Sequence, residues 1–187
     1  MDGDVQDTFQ AGRDAMRRHD WIEARRLLTA ADAQKRLDPE GLRQLGKAHE
    51  WCRDMTSALD VFERSYAGFV AAGDSRAAAG VALMLRHLCT NMLRDVVIEG
   101  TGTKAEIPGY QVAGKTGTAA IPTPQGYSDS KYVSSFVGYV PAGNPQLLVL
   151  VTVDQPQGAI YGGMVAAPVF QAIAKFDLQY LEILPHQ

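Results

Sequence analysis

Cysteine is scarce in this chain. Cys52 and Cys89 are the only two among 187 residues, and nothing in their spacing pairs them, so a disulfide framework is excluded and reduced thiols are expected. A dominant charge is also missing: 18 Lys and Arg face 21 Asp and Glu, a formal net charge of -3. Such a mixed surface has no basic footprint, and no nucleic-acid partner is expected. No apolar run approaches the roughly 20 residues a bilayer span requires. The opening MDGDVQDTFQ has no basic region leading into an apolar one, so no signal peptide is read and a cytoplasmic location is expected. What the chain does have is 46% hydrophobic residues, enough for a core in one medium domain or two small ones.

Proline is scarce only in the first half. Pro39 alone precedes residue 89, and the other eight follow it. Charge runs the other way: residues 1–88 carry 13 Lys/Arg and 14 Asp/Glu, against 5 and 7 in residues 89–187. Charged, Ala-rich, proline-poor text reads as surface helices, whereas Gly-, Pro-, Val- and Thr-rich text reads as strands and turns. Two segments of different class are therefore expected, joined near residues 88–90.

The first segment repeats itself. Gly12, Gly46 and Gly80 recur at one constant interval, and the same offset relates Asp20 to Asp54, Trp21 to Met55, Ala24 to Ala58, Leu28 to Phe62 and Ala31 to Ser65. Small residues at these offsets let paired helices approach closely, with Leu28 and Phe62 expected to fill the gap between neighbouring hairpins. The pattern predicts helices at about 4–18, 21–36, 39–52, 55–72 and 75–98, with Asp20 and Asp54 in tight turns and Asp38-Pro39 starting the third helix. The interval matches the ~34-residue period of tetratricopeptide hairpins, and residues 4–88 resemble tetratricopeptide-like helical repeats. That resemblance implies a protein or peptide partner, with the displaced repeat-end prolines as a departure from the pattern.

In the second segment, GYQVAGKTGTA reads as a strand, followed by strands near 132–140 and 146–154 around the turn Pro141-Ala142-Gly143-Asn144-Pro145. PTPQGYSDSKY reads as a solvated hairpin loop. Gly162-Gly163 opens a terminal helix, whose Val169, Ile173, Phe176, Tyr180 and Leu184 recur every three or four positions and predict one buried face. Five motifs stand in order: EGTGTKA, IPGYQVAGKTGTA, YVSSFVGYVP, VTVDQP and YGGMVAAPVFQAI. Over residues 90–187 the chain resembles the C-terminal part of the transpeptidase domain of class B penicillin-binding proteins, which cross-link bacterial cell walls. The fold class expected is thus α+β: helical hairpin repeats over 1–88, then a partial antiparallel three-stranded sheet with a C-terminal helix over 89–187, a fragment of penicillin-binding/β-lactamase type.

The resemblance implies roles. Lys115 would supply positive charge beside a substrate carboxylate, and the Thr116 and Thr118 hydroxyls would hydrogen-bond it. Gly117 would let substrate backbone lie against the strand, and the Thr118 N–H would contribute to an oxyanion hole. The implied ligands are a peptidoglycan stem peptide or a β-lactam, and the implied family location is membrane-anchored, outside the cytoplasmic membrane. The family also needs a serine in S-x-x-K and an S-x-N element, both ahead of the KTG strand. Ser57, Ser65 and Ser75 are followed three positions on by Asp60, Gly68 and Ala78. Ser128 to Lys131 fits S-x-x-K formally, but it follows the KTG strand and no apolar helix accompanies it to depress the lysine pKa. No catalytic nucleophile is expected. His19, His49, His87 and His186 are scattered, and His49 with Cys52 lacks a second ligand pair, so no metal is expected. The glycines of EGTGTKA lack a nucleotide-site setting, and no cofactor is expected.

Overall fold

Aspartates set the helix starts in the first half of the chain. Asp20, Asp38 and Asp54 each accept a hydrogen bond from the backbone N–H three positions on, that of Glu23, Gly41 and Ser57. Pro39 follows Asp38 as the first helical residue, where its missing N–H costs nothing. In the computed structural model, which describes residues 3–185, the resulting helices are α1 (Gly3–Arg17), α2 (Trp21–Ala33), α3 (Pro39–Trp51), α4 (Met55–Ala71) and α5 (Ser75–Ile98). These bounds lie close to the expected ones. Among the described residues, no helix is long and apolar enough to cross a membrane.

The chain divides into two compact units, Met1–Cys89 and Thr90–Gln187. In the first, α1 packs on α2 and α3 on α4, with α2 also against α3. The regular glycine spacing has a steric meaning. A Cβ on Gly12 would lie 2.9 Å from Leu28, and one on Gly46 would lie 2.6 Å from the Phe62 ring, so one glycine-to-large contact recurs in both helix pairs. Ala24, Leu28, Ala31, Ala58, Phe62 and Ser65 are all buried, and the Ser65 hydroxyl donates to the Pro39 carbonyl at 2.7 Å. Arg64 reaches from α4 to α2 with two bonds to Asp32, at 2.8 and 2.6 Å. The third phase behaves differently: nothing lies within 4 Å of a Cβ on Gly80. Positions 19–20 and 53–54 read His-Asp and Arg-Asp, but 87–88 read His-Leu. Without a capping carboxylate no turn forms there, and α5 runs on through the unit boundary.

The second unit is an antiparallel sheet in the order β1-β2-β3, with β1 at Ala113–Thr123, β2 at Gly126–Val140 and β3 at Leu147–Asp154. Its helices are α6 (Gly162–Val165) and α7 (Ala167–Tyr180). Phe136, Val140 and Val151 of the sheet bury against Phe170, Ala174 and Leu178 of α7, with the Phe136 and Phe170 rings 4.8 Å apart.

Two expectations are corrected here. The segment read as a solvated loop is largely strand: Gly126–Lys131 belongs to β2, which continues the β1 hairpin past a register shift at Ala120/Pro122. Its polar sequence suits a two-stranded ribbon wet on both faces, which period-2 hydrophobicity does not reveal. The buried stripe of α7 is the other one. Val169, Ile173, Phe176, Tyr180 and Leu184 are exposed, while Ala167, Phe170, Ala174 and Leu178 are buried. Both stripes are apolar, but only the buried one alternates small and large residues. Phe170 needs the room left by Gly138, where a Cβ would sit 2.9 Å from its ring.

Candidate functional site

Period-2 geometry decides which side chains β1 can bring together. In register with β2, Thr116 pairs with Phe136 and Thr118 with Ser134, two core-side residues that are fully buried. Thr116 and Thr118 therefore share the face toward α6. Lys115 pairs with the exposed Val137 and springs from the opposite face. Its Nζ turns back round the strand to donate to the Thr116 carbonyl at 2.9 Å and to Thr116 Oγ1 at 3.4 Å.

A pocket of about 270 Å³ opens beside Thr116 and Thr118. Three segments distant in sequence build it: Thr101, Thr103 and Lys104 from the turn after α5, the two β1 threonines, and Tyr161 to Met164 at the start of α6. Thr101 and Thr116 share a hydroxyl–hydroxyl hydrogen bond of 2.8 Å, and the Gly162 N–H donates to Thr118 Oγ1 at 3.1 Å. Glycine is required at the α6 start because a Cβ on Gly162 would strike the Ser135 and Gly117 carbonyls, and one on Gly163 the Thr101 carbonyl. The Ser134 hydroxyl ties β2 to the same segment by donating to the Ile160 carbonyl.

The expected site residues are thus only partly assembled. Thr116 and Thr118 line the pocket, Gly117 lies between them facing Ser135, and Lys115 lies outside the lining with its ammonium held at Thr116. Sequence reasoning read Gly162-Gly163 as a helix start and assigned no place in the site to Thr101, Thr103, Lys104, Gly162 or Gly163. The signal available was their place inside EGTGTKA and YGGMVAAPVFQAI, two motifs read as ancestry rather than as pocket walls. Chemically, four threonine hydroxyls and the Lys104 ammonium, which has no ion pair among the described residues, suit a carboxylate beside an edge strand.

The remaining candidates go elsewhere. Ser128 Oγ accepts from the Ser130 and Lys131 N–H groups at 3.3 and 3.0 Å on the exposed part of β2, and is not part of the pocket. His49 is buried in the first unit with Nδ1 3.1 Å from Asp54 Oδ2. Burial works to raise the Asp54 carboxyl, but hydrogen bonds from Ser57 and His49 outweigh it and hold the group below the usual carboxylate range. His186 lies outside the described residues. Among those residues, no three His, Cys, Asp or Glu are grouped to hold a metal.

Comparison with known proteins places the likeness in the same part of the chain. Residues 86–175 match the family model described as Penicillin binding protein transpeptidase domain. "Stage V sporulation protein D" of Bacillus subtilis is 44% identical over 96 residues, covering 51% of this chain and 15% of that protein. "Probable peptidoglycan D,D-transpeptidase PbpC" of Pseudomonas aeruginosa is 46% identical over 96 residues, covering 50% of this chain and 17% of that protein. Among solved structures, "Apo structure of TP domain from Burkholderia pseudomallei penicillin-binding protein 3" shares 43% identity over 55% of this chain and 31% of that one, with a TM-score of 0.49. The chain spans 15% to 17% of the length of these curated relatives, and it is over residues 86–175 that it is similar to the Penicillin binding protein transpeptidase domain.

Proposed function

We propose that the second unit is the carboxylate-binding part of a peptidoglycan D,D-transpeptidase. In this reading it holds the carboxylate end of a stem peptide or β-lactam without acylation of this chain. The observation that carries the reading is the pocket in which Thr116 and Thr118 of the KTG strand converge with Thr101, Thr103 and Lys104. At about 270 Å³ it falls just below the ~300–1,000 Å³ of typical ligand sites, so it suits one end of a ligand. Hydroxyl donors and the Lys104 ammonium would meet the carboxylate, and Lys115, tethered at Thr116, would add a second positive charge at the strand edge. β1 is an edge strand, so an extended substrate can lie along Lys115–Thr118 as an added strand, with Gly117 presenting no side chain to obstruct it. The Thr118 N–H would serve as one oxyanion donor of a pair whose other member comes with a nucleophile. No S-x-x-K precedes the strand in this sequence. Two experiments test this. A fluorescent β-lactam leaves no label that survives denaturation, whereas a label mapping to a serine overturns the non-acylating reading. Amide resonances of Thr103, Lys104, Thr116 and Thr118 shift saturably with a D-alanyl-D-alanine peptide, and unmoved resonances overturn the binding reading.

A second reading concerns residues 1–88, as a tetratricopeptide-like adaptor for a protein or peptide. It is favoured by the recurrence of one steric contact at the repeat interval, first as Gly12–Leu28 and then as Gly46–Phe62. Pulldowns with residues 1–88 and 89–187 separate the two: partners retained only by the second segment defeat the adaptor.

A further inference from the structure

The chain's only two tryptophans, Trp21 and Trp51, stack face to face with centroids 5.1 Å apart and planes 6° from parallel. They stand at the turn ends of the two helix pairs of the first unit, at the start of α2 and the end of α3. A stacked indole pair is expected to be core, yet Trp51 is 64% exposed and neighbouring Ile22 is 72% exposed. Together they wall an open cavity of about 580 Å³, twice the volume beside the KTG strand and well within the range of ligand sites.

The wall is preformed. The Cys52 thiol donates to the Trp21 carbonyl at 3.5 Å, which joins the two turns. His19 and Arg53, equivalent positions of the two repeats, both adopt left-handed backbone, with φ of 59° and 58°, so both turns have the same shape. The rim is cationic. Arg25 and Arg53 line the cavity, and neither forms an ion pair among the described residues. The single carboxylate in the lining, Asp20, is already used as the cap of α2, accepting from the Glu23 N–H at 3.2 Å.

We propose that this cavity is a docking site for an acidic peptide segment bearing an aromatic side chain. The aromatic ring extends the indole stack on the open face of Trp51, and flanking carboxylates pair with Arg25 and Arg53. A phosphate ligand fits less well, because the Glu23 amide that would bind it at the α2 start is consumed by Asp20. A basic peptide is repelled by the rim. The site adds a location and a ligand chemistry to the adaptor reading but does not need it: residues 1–88 could capture a partner through another face and leave this cavity empty.

Both tryptophans are in the site, so the intrinsic emission of the full chain reports it without a label. The probes are an N-acetylated, amidated pentapeptide of acidic residues around one phenylalanine, its counterpart with lysines for the acidic residues, and AMP. The acidic peptide changes the emission saturably at submillimolar concentration, and the lysine peptide and AMP do not. The double variant Arg25→Ala, Arg53→Ala keeps both indoles and weakens the acidic peptide roughly tenfold, as loss of one exposed and one half-buried ion pair predicts. Arg25→Lys with Arg53→Lys retains most of the binding. Arg53 is exposed and Arg25 half-buried, and far-UV circular dichroism confirms that both variants stay folded. The proposal fails if the acidic peptide gives no saturable change, if the lysine peptide or AMP binds as well, or if the alanine variant binds like the parent.

Discussion

Alanine at Gly46 and alanine at Gly80 should move the stability of the first unit in opposite directions. The two glycines hold the same phase of the repeat and both sit inside helices, so their intrinsic helix gain is the same, about 1 kcal/mol. Their surroundings differ. A Cβ at Gly46 falls 2.6 Å from two carbons of the Phe62 ring, well inside ordinary contact, and that ring is fully buried with no free direction to retreat. Overpacking of this kind costs about 1–3 kcal/mol, so Gly46→Ala is expected to destabilise by up to about 2 kcal/mol net. At Gly80 nothing lies within 4 Å, and Gly80→Ala should stabilise by about 0.5–1 kcal/mol. With a urea slope of ~1 kcal/mol/M for a unit this small, the two midpoints should separate by roughly 0.5–3 M. Both tryptophans lie in the first unit, so their emission follows this unit's transition alone. Adding Phe62→Leu to Gly46→Ala should recover part of the loss, a coupling of about 1 kcal/mol. Equal shifts of the same sign at both glycines would refute the steric account of the repeat.

Asp54→Ala removes the α4 cap and should cost about 1 kcal/mol at neutral pH. Because the folded Asp54 carboxyl lies below its unfolded value, its contribution is complete above the usual carboxylate range near pH 4. It is lost as pH falls through the folded value. The gap in urea midpoint between variant and parent should therefore shrink between pH 7 and pH 3, and an unchanged gap would sink the assignment. In the second unit, β3 has a neighbour on one side only, and Leu148 and Leu150 are 70% and 65% exposed on its open face. Alternate amides across 147–153 should exchange fast, and Leu148→Lys with Leu150→Lys should reduce concentration-dependent self-association in sedimentation. Uniformly slow exchange in a monomeric chain would show that edge to be covered. Gly163→Ala drives a Cβ into the Thr101 carbonyl and should lower the melting temperature of the second unit while weakening any ligand of the threonine pocket. A melt identical to that of the parent would mean that the wall can part freely.

Much of the helical half could be read directly, for a local reason. Asp20, Asp38 and Asp54 bond amides only three positions away, so the residues that start each helix lie next to it in the chain. The repeat spacing was equally visible, since each small residue and its large partner, such as Gly46 and Phe62, belong to one helix pair and lie close in the chain. The strand order of β1, β2 and β3 follows from two short connections. The KTG motif could be placed on a strand from its sequence neighbours alone, and its edge position came from the sheet order.

Packing settled what local pattern left equal. On α7 two apolar stripes compete, and the choice fell to Phe170 because Gly138, on another strand, leaves space for its ring. Lys115 and Thr116 are adjacent in sequence and were expected to act together, yet the pleat sends them to opposite faces and only a folded-back ammonium reunites them. The threonine pocket required long-range contacts, from Thr101 to Thr116 and from Thr118 to Gly162. The stacking of Trp21 on Trp51 is of the same kind. Where helices start, how they pair and which strand carries the motif depend on neighbours along the chain, so the amino-acid order was enough to specify them. Which side chains share a cavity depends on how distant segments pack, where one missing Cβ sets how closely two backbones can meet.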